Sequence, residues 1–227
     1  MQVRAPDGRE LTVKGNPWPF MNPWSYIVWA YGEGGGTRFN ITPAGSTELI
    51  AKQTGEWADL KVREISWNGA RIQSHEDKVH GGTTLLWIGP HNEIGTFVSG
   101  TGVPLELFMD TLAKFDLRDA PEGVTMLPRA GSGLRLTNLL ATNAIDQLCS
   151  VQIKPVADAH GLIPATKGKG VTGGAMWRFD ELDKAGDVRV RSAFVVNNST
   201  ATTVVANRPT DPKFISVVES LTCSLSG

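Results

Sequence analysis

The sequence predicts an α+β protein with two successive antiparallel β-sheet units, each closed by a C-terminal helix. Short β-type segments recur along the 227 residues, each half then changes to helical spacing, and a segment rich in Gly, Pro and charge separates the halves. The predicted units are residues 1–117 and 136–227, joined by a linker at residues 118–135. Two domains are allowed at this length because domains commonly contain roughly 50–200 residues.

The first half consists mainly of predicted strands. Eight segments with β character, from RELTVK through TELIAK to EIGTFVSG, are bounded by Gly, Pro, Asn or Asp. The WNGA sequence at residues 67–70 predicts a hairpin, because Asn-Gly accepts the two positive φ angles of a type I′ turn. The GPHN sequence at residues 89–92 predicts a second turn.

Each half is expected to end in a helix. In the first half the residues at helical spacing follow Pro104, which suits a first helical turn, and they are Leu105, Phe108, Met109, Leu112 and Phe115. In the second half they follow Pro212 and are Phe214, Val217, Val218 and Leu221. The strands expected before this second helix are LCSVQIKPV, GAMWRFDEL, DVRVRSAFVVN and TATTVVAN. Residues 134–148 are compatible with either a helix or extended chain.

Charge and hydropathy exclude some partners. The chain has 22 basic and 23 acidic side chains and a net charge of -1, so it lacks the basic surface that nucleic-acid binding needs. No apolar run approaches the ~18–20 residues needed to cross a bilayer, so no membrane span is expected. The N-terminal segment has no apolar stretch typical of a signal peptide. An extracytoplasmic protein would therefore have its native signal or anchor outside this sequence.

The two cysteines, Cys149 and Cys223, have no metal-type spacing. We predict a disulfide between them, because Cys149 begins a predicted strand and Cys223 lies near the end of a predicted helix that must dock on the same sheet. Such a bond would imply an oxidising compartment. The alternative is a pair of buried free thiols.

Two groups of residues are candidates for binding a ligand or partner. Trp18, Phe20 and Trp24 form an aromatic segment interleaved with prolines, and such rigid amphipathic side chains suit binding, although they also fill β cores. Lys167 and Lys169 lie in a Gly-rich loop that could contact a partner. This loop lacks the spacing of a phosphate-binding P-loop.

No motif identifies an enzyme, a cofactor or a metal. His75, Glu76, Asp77 and His80 form the densest group of possible metal ligands, but the histidines are five residues apart, whereas the zincin motif places them at i and i+4 on a helix. Ser99 and Ser132 lack the G-x-S-x-G frame of a nucleophile elbow. We therefore expect a non-enzymatic protein with neither a cofactor nor a metal.

Residues 65–117 resemble bacterial extracytoplasmic sensor and lipoprotein-carrier-like domains of the RseB/MucB type. The features in common are the turn at residues 67–69, the L-x-W strand at residues 85–87, the segment from Gly95 to Gly102 and the helix that starts at Leu105. The resemblance implies a curved antiparallel sheet with a helix against its concave face. It also implies a secreted or extracytoplasmic location and a lipid, lipoprotein or protein ligand.

From these features we predict a non-enzymatic extracytoplasmic binding or interaction protein. The alternative is a structural component of a virion or another large assembly, where β-rich units with long Gly-rich loops also serve as building blocks.

Overall fold

The computed structural model describes residues 1–15, 20, 23–54, 61–77 and 81–226. The protein is mostly β structure, with 56% of these described residues in strands and 15% in helices. In chain order the strands are β1 (Gln2–Arg4), β2 (Glu10–Lys14), β3 (Ser25–Gly32), β4 (Gly35–Pro43), β5 (Lys61–Trp67), β6 (Ala70–Asp77), β7 (Gly82–Ile88), β8 (Asn92–Ser99), β9 (Phe115–Ala120), β10 (Gly123–Pro128), β11 (Arg135–Ile145), β12 (Cys149–Pro155), β13 (Lys169–Val171), β14 (Gly174–Leu182), β15 (Val188–Val196), β16 (Thr200–Ala206) and β17 (Thr222–Ser226). The helices are α1 (Ser46–Thr54), α2 (Leu105–Leu112), α3 (Lys213–Ser220) and a 3₁₀ helix at Val156–Leu162.

The largest sheet has twelve strands, and a three-stranded sheet and a two-stranded hairpin accompany it in the described part of the chain. The chain divides into two compact units, and each is described here by itself. One unit comprises residues 1–3, 9–24 and 140–227, and the other comprises residues 4–8 and 25–139. We call the first the terminal unit, because it contains both chain ends, and the second the central unit.

The terminal unit contains the neighbouring strands β13-β14-β15-β16-β12, and its β2 and β17 pair in the three-stranded sheet. Alternating apolar residues on β12 are buried, and Val151 lies opposite the equally buried Val204 of β16. Helix α3 buries one apolar face through Phe214, Val217 and Val218. The buried apolar residues of this unit therefore include those of β12, β16 and one face of α3.

The central unit contains the neighbouring strands β3-β4-β8-β7-β6-β5 and the β9–β10 hairpin. One face of its sheet is apolar and buried, with Phe39, Ile72 and Ile94 fully covered. Helix α2 contacts β6 and β9 and buries Leu105, Phe108 and Leu112. This face forms the core, and the side chains at alternate strand positions project from the opposite face.

The predicted α+β class, with each sheet unit closed by a C-terminal helix, is wrong. Helices α2 and α3 occur where the helical spacing predicts them, but β9 and β10 follow α2, and β17 follows α3. The physical reason is that both helices end before the predicted helical segments do. Phe115 belongs to β9 and not to α2, and Cys223 lies in β17, where it pairs with Val13 of β2. The protein is a sheet-dominated chain with three short α-helices in its described part.

Several local predictions can be compared directly with the structure. The hairpin at residues 67–70 is confirmed, because Asn68 and Gly69 have φ angles of 50° and 79° between β5 and β6. The turn at residues 89–92 is confirmed by the hydrogen bond from the Gly89 N–H to the Asn92 carbonyl at 2.9 Å. The strand predicted for TELIAK is wrong, because these residues lie in α1.

Two segments in the middle of the chain form strands where their composition predicted a linker or left the element open. Most of the ambiguous segment at residues 134–148 is the strand β11. Residues 118–135, the suggested linker, contain the end of β9, all of β10 and the first residue of β11. The division of the chain into domains at 1–117 and 136–227 stays a prediction.

Candidate functional site

The candidate site lies on the second face of the central sheet, opposite α2. Cross-strand pairing aligns its side chains in rows: Val62 lies opposite His75, Gln73 opposite Leu86, and Arg71 opposite Ile88. Paired residues share a face because side chains alternate along each strand. Ile72 and Trp87, which form the intervening pair, point toward the core. The face therefore mixes apolar and polar side chains.

Helix α1 covers one end of this face and leaves a cavity of about 550 Å³ beneath it. The volume falls within the roughly 300–1,000 Å³ that is usual for small-molecule sites. The lining residues come from α1, from the turn before it and from strands β5 to β8: Gly45, Glu48, Ala51, Lys52, Val62, Arg71, Gln73, His75, Leu86, Ile88 and Glu93. We call this cavity the α1 pocket.

Glu93 fixes the start of α1 to the sheet. Its side chain is buried, and its Oε2 accepts a hydrogen bond from the Gly45 N–H at 2.9 Å. Its Oε1 accepts the Thr47 N–H at 2.7 Å, the Thr42 hydroxyl at 2.9 Å and the Thr47 hydroxyl. A carboxylate at a helix N-terminus satisfies free N–H groups and is stabilised by the helix dipole. Glu93 therefore positions α1 over the pocket.

His75 lines the α1 pocket with only 4% of its surface exposed. Its Nε2 lies 3.0 Å from the Oε1 of Gln73, the next residue on the same face. Burial lowers the pKa of His75, although the carboxylates of Glu48 and Glu93 act in the opposite direction. The imidazole is therefore neutral near pH 7.

Charged side chains surround the mouth of the pocket. The Lys52 Nζ lies 2.6 Å from the Glu48 Oε1, and the Arg71 Nη1 lies 3.3 Å from the Glu64 Oε2. The hydrogen bond and charge of Lys52 lower the pKa of Glu48. The side chains of both pairs are largely exposed, so each pair contributes little to stability.

Apolar atoms form the rest of the pocket surface. Ala51 of α1 and Leu86 of β7 are buried, Ile88 is half-buried, and Val62 of β5 is 51% exposed. The α1 pocket thus combines an apolar floor with a charged rim. Such a lining can bind a molecule that has both an apolar and a polar part.

Of the suggested metal ligands, Glu76 lies away from the α1 pocket. Glu76 follows His75 directly on β6, so it projects from the opposite face and accepts hydrogen bonds from the Arg63 guanidinium and the Gly102 N–H. Within the described residues no three His, Cys, Asp or Glu side chains are arranged to hold a metal ion. Asp77 is the last residue of β6, and His80 lies outside the described residues.

The predicted aromatic binding segment is only partly described. Trp18 lies outside the described residues. Trp24 is buried, with 5% of its surface exposed, and Phe20 is half-buried with its ring centroid 5.3 Å from that of Trp24. The structure therefore brings Phe20 and Trp24 together, but it leaves little of Trp24 accessible to a partner.

The two predicted loop lysines are exposed. Lys167 precedes β13, and Lys169 begins it. The Lys169 Nζ lies 2.6 Å from the Glu219 Oε1 of α3, which makes a surface ion pair within the terminal unit. Partner binding by Lys167 and Lys169 stays a prediction.

The predicted Cys149–Cys223 disulfide is wrong. Both thiols are free and buried, and they lie in different sheets, Cys149 in β12 and Cys223 in β17. The prediction failed because Cys223 belongs to a strand that pairs with β2, not to the helix that docks on the sheet of Cys149. Burial raises the pKa of both thiols to about 11. The inference of an oxidising compartment therefore loses its support.

No protein-family model and no curated protein matches this chain. The resemblance of residues 65–117 to RseB/MucB-type domains stays a prediction. The secreted, lipoprotein-like and bacterial character expected from the sequence is withdrawn, because no comparison supports it and the disulfide is absent from the described residues. None of the described helices is long and apolar enough to span a bilayer.

Proposed function

We propose that this protein is a non-enzymatic binding protein and that the α1 pocket is its ligand site. The observation that carries the proposal is the combination of a cavity of about 550 Å³ with an apolar floor and a charged rim. Glu93 supports it by anchoring α1 over the cavity. The proposed ligand is a small amphiphile, which places its apolar part on the floor and its polar part at the rim.

The proposal is independent of Phe20, Trp24 and the loop lysines, which lie in the terminal unit. It agrees with the lipid ligand that the sequence resemblance implies, and the lipoprotein and protein ligands stay alternatives. An extracytoplasmic location and the absence of catalysis stay predictions.

Binding of an uncharged, environment-sensitive dye such as Nile red tests the proposal. We expect saturable fluorescence enhancement at micromolar protein concentrations. Val62→Gln should weaken dye binding about fivefold, because it removes roughly 1 kcal/mol of apolar contact. Val62 suits this test because its side chain is half exposed in the free protein, so the substitution does not disturb the core.

Ile65→Gln provides the matched control. Ile65 lies on the same strand, β5, is also partly exposed and projects from the opposite face. It should leave dye binding unchanged. Absence of saturable binding in the unmodified protein, or an equal loss for both variants, would contradict a ligand site in the α1 pocket.

The alternative, a structural component of a large assembly, has a separate test. Light scattering coupled to size-exclusion chromatography distinguishes a structural component from a binding protein, because an assembly component should form particles with a mass far above the 24.4 kDa of one chain. The binding function proposed here requires no such assembly.

A further inference from the structure

We infer that the ligand of the α1 pocket carries an anionic head group, which Lys52 and Arg71 bind at the rim while an alkyl chain lies on the apolar floor. This assignment rests on the function proposed above and deepens it by naming the ligand class. A fatty carboxylate has this chemistry.

Two cations, Lys52 and Arg71, are the lining groups best placed to bind a charged head group. The Glu93 carboxylate is already saturated by four donors and is buried against the start of α1, so it has little capacity to bind a cationic group. His75 is neutral near pH 7 because burial lowers its pKa. The charged groups of the lining are Lys52, Arg71, Glu48 and Glu93, so the lining is neutral overall. Because the oxygens of Glu93 are occupied, the two cations and Glu48 are the charged groups left to contact a ligand.

The two cations can change partners at low cost. The Lys52 and Glu48 side chains are 72% and 64% exposed, and those of Arg71 and Glu64 are 54% and 44% exposed. Ion pairs this accessible to water are weak, so a carboxylate at the rim can compete with Glu48 and Glu64. A cationic head group that approached Glu48 would instead face both Lys52 and Arg71.

The apolar part of the ligand has a defined place. Val62 comes from β5, Leu86 and Ile88 come from β7, and all three line the cavity with Ala51 of α1. A cavity of about 550 Å³ is suited to one small molecule, so we assign it a single-chain amphiphile. The head group then lies where α1 and β6 carry Lys52 and Arg71.

Three twelve-carbon probes separate the head group from the chain: dodecanoate, dodecan-1-ol and dodecyltrimethylammonium, each used below its micelle-forming concentration. Displacement of Nile red from the full chain at pH 8 gives their affinities. Dodecanoate should bind about fivefold more tightly than dodecan-1-ol, because an ion pair at this exposed rim contributes up to that factor. The ammonium probe should bind most weakly.

Substitutions at the rim test the assigned residues. Lys52→Met and Arg71→Met should each reduce dodecanoate binding severalfold while leaving dodecan-1-ol binding unchanged. Glu48→Gln should increase dodecanoate affinity, because it frees Lys52 and removes a negative charge, and structural damage would not produce such a gain. Lys184→Met, at an exposed lysine in the terminal unit, is the charge-matched control and should have no effect.

The outcomes distinguish the two levels of the proposal. Equal binding of dodecanoate and dodecan-1-ol, or tighter binding of the ammonium probe, would overturn the anionic assignment and leave the binding function intact. Loss of dodecanoate preference in the Lys184→Met control would also overturn it. Failure of all three probes and of Nile red to bind would contradict the proposed function itself.

Discussion

Glu93→Gln should destabilise the attachment of α1 more than any surface substitution of the same kind. In the structure Oε1 accepts three hydrogen bonds and Oε2 accepts the Gly45 N–H. A glutamine amide can keep one oxygen in place of Oε1, but its NH₂ group then faces the Gly45 N–H, so two donors meet. One hydrogen bond to a charged group is lost, at a cost of about 1.5–3 kcal/mol, and the other three become neutral and weaker.

We therefore expect the free energy of unfolding to fall by about 3 kcal/mol in urea titrations. Hydrogen exchange at the Gly45 and Thr47 amides should accelerate, because these donors lose their charged acceptor. Glu106→Gln is the matched control: Glu106 is also acidic and lies in the first turn of a helix, α2, but no side chain caps that helix. Glu106→Gln should lower the free energy of unfolding by only about 0.3–1 kcal/mol.

If Glu93→Gln costs no more than Glu106→Gln, and the Thr47 amide stays protected, then Glu93 does not position α1. The urea transition of each variant must also be checked with two probes, because a chain with two compact units can unfold in more than one step.

Three further predictions concern other parts of the chain. Thiol titration of the denatured, non-reduced protein should find two free thiols, and zero free thiols would contradict the structure. In the native protein Cys149 and Cys223 should be alkylated slowly at pH 8, because burial raises the pKa of both thiols to about 11. The pKa of His75 in the folded protein, measured by NMR, should lie below 6.5, so the unfolded chain binds a proton at a higher pH than the folded chain does. The free energy of unfolding should therefore decrease as the pH falls below about 6.5, and His75→Gln should remove this decrease. A folded-state pKa above 6.5 would contradict this prediction, because protonation would then stabilise the fold. Trp24→Ala should cost about 3–5 kcal/mol in unfolding free energy, as expected for a buried aromatic, and a loss below about 1 kcal/mol would show that Trp24 is a surface residue.

Local sequence signals predicted the strands and turns because their causes are local. The Asn68-Gly69 turn requires two positive φ angles, and the sequence shows both residues that accept them. The apolar spacing of Phe214, Val217 and Val218 likewise gives α3 its buried face. These elements need no information from distant parts of the chain.

The errors occurred where distant residues decide the outcome. TELIAK is short and can be either strand or helix, and α1 is stabilised at its N-terminus by Glu93, which follows more than forty residues later. The sequence pattern predicts Cys223 near the end of a helix, but Cys223 pairs with Val13 in a sheet that joins the two ends of the chain. The spacing of apolar residues along the sequence predicts neither of these long-range contacts.

The candidate site was missed for the same reason. Arg71 and Gln73 alternate with buried residues on β6 and therefore look like an ordinary solvent-facing edge. Only the placement of α1 over these residues converts that face into a pocket. The sequence does hold one signal: Glu93 directly precedes the apolar Ile94 near the start of a strand, but burial of its carboxylate depends on donors from α1 and β4.

Amide hydrogen exchange of the full chain with and without saturating dodecanoate tests the location of the ligand site most directly. We expect slower exchange in α1 and in the strands β6 and β7 beneath it, because a ligand in the α1 pocket contacts all three and stabilises the packing of α1 on the sheet. Strands β14 to β16 of the terminal unit should exchange at unchanged rates. Slower exchange confined to those terminal-unit strands, or no change anywhere, would contradict the assignment of the α1 pocket as the binding site.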